Sequence, residues 1–107
     1  MKNTRRFFFG TLREEPSGAT SIRLTFNSID IAEWLDNSPS AIRTYRNELR
    51  KRLKQVFPEA KVVMKGIPTA DGNTWMISNT ADEVDVLMQC EDILDQVVNS
   101  KNDWLPQ

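Results

Sequence analysis

The longest unbroken periodic stretch of the chain runs from Thr80 to Trp104, TADEVDVLMQCEDILDQVVNSKNDW. Its spacing predicts a helix of about five turns, with no Gly or Pro before its end. Thr80 and Glu83 form a capping-box pattern, and Asp82 and Glu83 add negative charge where the helix dipole favours it. The apolar positions Val84, Val86, Leu87, Met88, Cys90, Ile93, Leu94, Val97 and Val98 cover more than half the circumference. That is wider than one sheet face needs, so the rest of the arc is left for the first helix and an N-terminal strand, or for a partner. The other arc carries Asp82, Asp85, Gln89, Asp92, Gln96 and Asn99, with Asp95 at its edge and no Lys or Arg.

Earlier patterns are shorter. Ser21-Ile22-Arg23-Leu24-Thr25-Phe26 alternates cleanly and predicts a strand with Ile22, Leu24 and Phe26 inward. Residues 5–12 alternate partly; they suit a strand that pairs with it as a hairpin across Pro16-Ser17-Gly18, or else an arm. Ile29 to Leu35 suits a short helical turn presenting Ile31, Trp34 and Leu35. Ser38 as cap and Pro39 at the first helical position open a second helix, which Pro58 stops. It places Ile42, Tyr45, Leu49, Leu53 and Val56 on one face and Arg43, Arg46, Arg50, Lys51 and Lys54 opposite. Lys61 to Ile67 and Thr74 to Ser78 read as strands joined by a turn at Asp71-Gly72, the pattern of a hairpin. The resulting class is α+β: a two-layer sandwich, β-α-β-β-α with an additional N-terminal strand or arm, both helices on one face of a small sheet. Residues 1–19 form the N-terminal extension and residues 20–107 the domain.

Charge changes the picture more than composition does. The chain has 107 residues and a net charge of −1, ordinary values for one domain. The charge is polarised, however: residues 1–59 hold eleven Lys and Arg against seven Asp and Glu, and residues 60–107 hold three against eight. A lone cysteine, Cys90, forms no internal disulfide and fits a reducing compartment. There is no histidine, which removes the commonest general base and most zinc sites. Asp71-Gly72-Asn73 is simpler as a turn than as a calcium loop. The opening TRRFFFG resembles an export signal only until Gly10, after which no apolar core follows. These features predict a cytoplasmic non-enzyme with no catalytic residues, no cofactor and no metal. The basic helix face of Arg43, Arg46, Arg50 and Lys54 reads as a candidate phosphate contact, without aromatic interleaving or a motif for sequence-specific nucleic-acid recognition.

Three segments carry a family likeness: AIRTYRNELRKRLKQVFPEAKVV (Ala41 to Val63), TWMIS (Thr74 to Ser78) and CEDILDQVVNSKNDW (Cys90 to Trp104). Together with Ile22 to Phe26 as first strand, they resemble the DinI family of DNA-damage-inducible proteins. The resemblance implies a β-α-β-β-α fold and an SOS-response regulator that binds the RecA filament and modulates its recombinase and co-protease activity. It also implies that an acidic ridge on the last helix does the binding. Here that ridge is Asp85, Asp92 and Asp95, with Asp82, Glu91 and Asp103 nearby. The chain departs from the family in its N-terminal extension, in a longer link containing Trp34, and in a longer last helix whose ridge Gln89 and Gln96 dilute. These departures resemble phage or plasmid members, some of which look like antirepressors. The alternative partner is therefore a phage repressor, contacted through Phe7, Phe8, Phe9 and Trp34. Neither reading involves a membrane, and both allow a monomer or weak dimer.

Overall fold

The computed structural model describes the strand Arg6–Phe9 and residues 20–105. The element order is β1 (Arg6–Phe9), β2 (Ser21–Asn27), α1 (Ser28–Trp34), α2 (Pro39–Val56), β3 (Lys61–Ile67), β4 (Thr74–Ser78), α3 (Glu83–Asn99) and α4 (Lys101–Trp104). This is the expected α+β arrangement, with helices layered on a small mixed sheet.

The pairing of the strands differs from expectation. The sheet order is β1-β4-β2-β3. β2 runs parallel to β3, with Leu24 beside Met64, and antiparallel to β4, with Leu24 beside Trp75. The hairpin expected of β3 and β4 is therefore absent, because β2 lies between them. The expected β1–β2 hairpin is also absent, since β1 pairs in parallel with β4, Phe7 beside Trp75. The turn at Pro16-Ser17-Gly18 lies outside the described residues. The physical reason is burial. β2 carries three buried apolar side chains on one face, Ile22, Leu24 and Phe26. A strand with such a face gains most from the central position, where neighbours shield both of its sides.

Among the described residues the helices cover one sheet face only. Ile22, Leu24, Phe26, Met64, Trp75 and Ile77 point into the core beneath α2 and α3, while Arg23, Lys61, Lys65 and Met76 are exposed on the opposite face. Gly66 is a forced choice in this register. It sits beside Phe26, whose ring atom Cε2 would lie 2.9 Å from any Cβ added at position 66.

α2 follows its sequence signals closely. Ser38 Oγ accepts from the Ala41 N–H, Pro39 opens the helix, and Ala41, Tyr45, Leu49 and Leu53 are buried. Val56, expected on the buried face, is instead exposed at the helix end. α1 is held by a cap that the sequence pattern did not single out. Asn27 Oδ1 accepts from the Ile29 and Asp30 N–H groups, and its Nδ2 donates to the carbonyls of Pro68 and Ala70. One side chain thus ties the start of α1 to the β3–β4 loop.

The last helix is shorter and less regularly capped than its sequence predicts. α3 begins at Glu83 with no side-chain cap, and Thr80 Oγ1 accepts from the Asp82 N–H rather than from Glu83. At the other end Ser100 interrupts the helix. Its hydroxyl donates to the Gln96 carbonyl at 2.6 Å beside its own N–H, which bonds the same carbonyl, and the chain resumes as α4.

Candidate functional site

Helical spacing sorts the residues of α3 into two faces. Val86, Leu87, Cys90, Ile93, Leu94 and Val97 are buried. Facing out are Val84, Asp85, Met88, Asp92, Asp95, Gln96 and Asn99. Asp82 precedes the first turn and is also exposed. The helix thus brings together four of the six anticipated acidic residues, Asp82, Asp85, Asp92 and Asp95. Glu91 sits half-buried at the flank, and Asp103 is exposed but belongs to α4.

Among the described residues no Lys or Arg pairs with Asp82, Asp85, Asp92 or Asp95; the one hydrogen bond to their carboxylates is from Gln89, whose Nε2 donates to Asp85 Oδ2 at 2.9 Å. Four carboxylates held along one exposed face concentrate negative potential and attract a basic surface. Two apolar side chains lie among them. Val84 is 54% and Met88 58% exposed, although the sequence placed both in the over-wide apolar arc. An acidic ridge with an exposed Met and Val at its centre combines charge for orientation with apolar area for affinity.

Two side chains of the basic α2 face bond within the fold. Arg46 Nη2 donates to the Met64 carbonyl at 3.0 Å, and its guanidinium lies 5.7 Å from the Phe26 ring centroid. Lys54 Nζ donates to the Ala60 carbonyl at 2.7 Å. Both side chains therefore serve the β3 edge, leaving Arg43 and Arg50 exposed. The Lys61 N–H bonds the Thr20 carbonyl across β2, so the alternate residues Val62, Met64 and Gly66 turn their backbone groups to the open edge. Arg46 covers one of those groups and so protects the edge from another strand.

Of the alternative contact residues, the side chains of Phe7, Phe8 and Phe9 lie outside the described residues. Trp34 is half-buried and committed to an aromatic group. It meets Tyr45 edge-on at 5.5 Å and Trp104 at 6.0 Å, with Lys101 Nζ 5.1 Å from its ring centroid.

Beside this group the sequence pattern left a feature unseen. A cleft of about 820 Å³ opens between α1, the start of α2, the β3–β4 loop and the end of α3. Its walls include Asp30, Glu33, Asp71 and Asp95 above Trp34 and Tyr45. Asp95 is thus shared by the cleft and the α3 ridge.

Cys90 is fully buried, and burial, with the Glu91 charge adding to it, pushes its thiol up to about 12. Such a thiol is a packing group rather than a nucleophile. Among the described residues no three His, Cys, Asp or Glu side chains converge to hold a metal ion, and no helix is long and apolar enough to cross a membrane. No family model, curated protein or solved structure matches the chain.

Proposed function

We propose that this protein is a regulator of the SOS response that docks on the RecA filament through the acidic face of α3. The observation that carries the reading is the exposed ridge of Asp82, Asp85, Asp92 and Asp95 around Val84 and Met88, with no described cation pairing to it. The β-α-β-β-α order and the DinI-like segments supply the partner. A ridge on a rigid helix presents its charges preorganised, so little ordering cost opposes binding. Exposed carboxylates are screened by salt over about 8 Å at physiological ionic strength, so the contact weakens as salt rises.

The test is co-sedimentation of the chain with RecA assembled on single-stranded DNA. Retention in the pellet that falls as salt is raised supports the reading. Absence from the pellet at low salt rejects the filament as partner.

A further inference from the structure

We infer that the cleft between α1, α2 and the end of α3 receives an arginine-bearing, apolar-flanked segment of the partner protein, an inference that rests on reading α3 as a docking helix. The cleft's chemistry selects the occupant. Among the described residues its lining contains the carboxylates of Asp30, Glu33, Asp71 and Asp95 and no Lys or Arg, with Lys101 outside the lining but against Trp34. Beneath them Ile31, Trp34, Leu94 and Val98 supply an apolar and aromatic floor. An anionic rim over an apolar floor fits a side chain with a hydrocarbon stem and a cationic head.

Tyr45 also lines the cleft, and its ring is packed in the core. Its phenol oxygen makes no hydrogen bond among the described residues and is open to the cleft, where it can accept from an incoming donor. Among the described residues the cleft's carboxylates do not converge as a metal site would require. Separated acceptors instead suit the guanidinium, whose five donors fan out from a plane that also stacks on aromatic rings. Lysine's single ammonium reaches fewer of them.

Volume and position complete the argument. About 820 Å³ is more than one side chain fills, so apolar neighbours of the arginine enter as well. Because Asp95 belongs to both surfaces, a basic partner lying along α3 carries its anchor directly into the cleft. Central anchors seated in pockets carry most of an interface's affinity.

The experiment is an NMR titration of the full chain with the peptide acetyl-Leu-Arg-Leu-amide, using acetyl-Leu-Glu-Leu-amide as the control. The arginine peptide is expected to shift the Trp34 indole N–H and the amides of Val98 and Asn99, and the glutamate peptide to leave them unmoved. Glu33→Lys with Asp95→Lys, both at exposed positions, should weaken the arginine peptide roughly tenfold, and Tyr45→Phe by about threefold. Equal binding of the two peptides, shifts confined to other surfaces, or full affinity in the Glu33→Lys/Asp95→Lys variant overturns the proposal. Peptide binding without retention on RecA filaments supports the cleft and rejects the filament. Filament retention without peptide binding overturns the cleft and leaves the ridge in place.

Discussion

The indole of Trp104 meets the indole of Trp34 at a centroid distance of 6.0 Å and an interplanar angle of 64°. Trp104 also donates its Nε1–H to the Val97 carbonyl at 2.7 Å. Val97 is in the last turn of α3, whose final carbonyls lack helical partners, so this bond satisfies one of them. The same ring lies 6.0 Å from Tyr45 of α2. One side chain therefore joins α4 to both α1 and α2. Replacing it, Trp104→Ala, should cost about 2–3 kcal/mol, and Trp104→Phe, which keeps a ring but loses the bond, about 1 kcal/mol. Urea unfolding of the two variants measures the difference.

Asn27 makes four hydrogen bonds, two as the α1 cap and two to the β3–β4 loop. Asn27→Ala removes all four and should destabilise the fold by about 2 kcal/mol. Asn27→Asp keeps the cap but not the donors, so it should retain part of that loss. The comparison is again an unfolding measurement.

Arg46 keeps the β3 edge closed at Met64. Arg46→Ala should lower stability by only about 1 kcal/mol while opening the edge to pairing with other chains. Sedimentation velocity at rising protein concentration should reveal self-association in the variant that exceeds that of the parent chain. Equal behaviour of the two would assign edge protection elsewhere.

Cys90 links stability to alkaline pH. Its thiol is raised in the folded state from an ordinary value of 9.0 to about 12. Between those values the unfolded chain releases a proton that the folded chain keeps, so stability is full below about 9 and declines as pH rises toward 12. Burial raises the Tyr45 phenol above its ordinary 10.0 as well, which adds loss in the same direction. Unfolding at successive pH values should show the gap between the parent chain and Cys90→Ala narrowing above pH 9. At neutral pH the native thiol should not react with a disulfide reagent.

Much of the local structure was legible in the sequence. Ser38-Pro39 marks a helix start, and the alternation of Ile22, Leu24 and Phe26 marks a strand, because both signals act within a few residues. Which strands pair is decided by the whole core, and local turn chemistry at Asp71-Gly72 pointed to a hairpin that does not form. The better clue was the depth of the β2 alternation together with the helices between β2 and β3, since parallel neighbours need such a crossover. The Thr80 capping box failed because the chain at Asp82 adopts φ −110° and ψ 50°, which delays the helix to Glu83.

The candidate site divides the same way. The acidic ridge was readable because Asp85, Asp92 and Asp95 share one helix and its periodicity. The exposure of Val84 and Met88 was not, since an apolar residue at the margin of an arc is buried only if a neighbour reaches it. The cleft was invisible because Asp30, Tyr45, Asp71 and Asp95 come from four separate segments. Arg46 and Lys54 looked free for phosphates until the β3 edge that they serve was in place.

The central claim is that the outward face of α3 is the docking surface. Its most direct test is the dissociation constant for RecA filaments of the parent chain and of Asp85→Lys/Asp92→Lys. Both positions are exposed, so the double variant should keep its melting transition within the equivalent of about 1 kcal/mol. It should bind at least roughly tenfold more weakly than the parent, because two attractive contacts become repulsive. Unchanged affinity in a folded double variant would contradict the account.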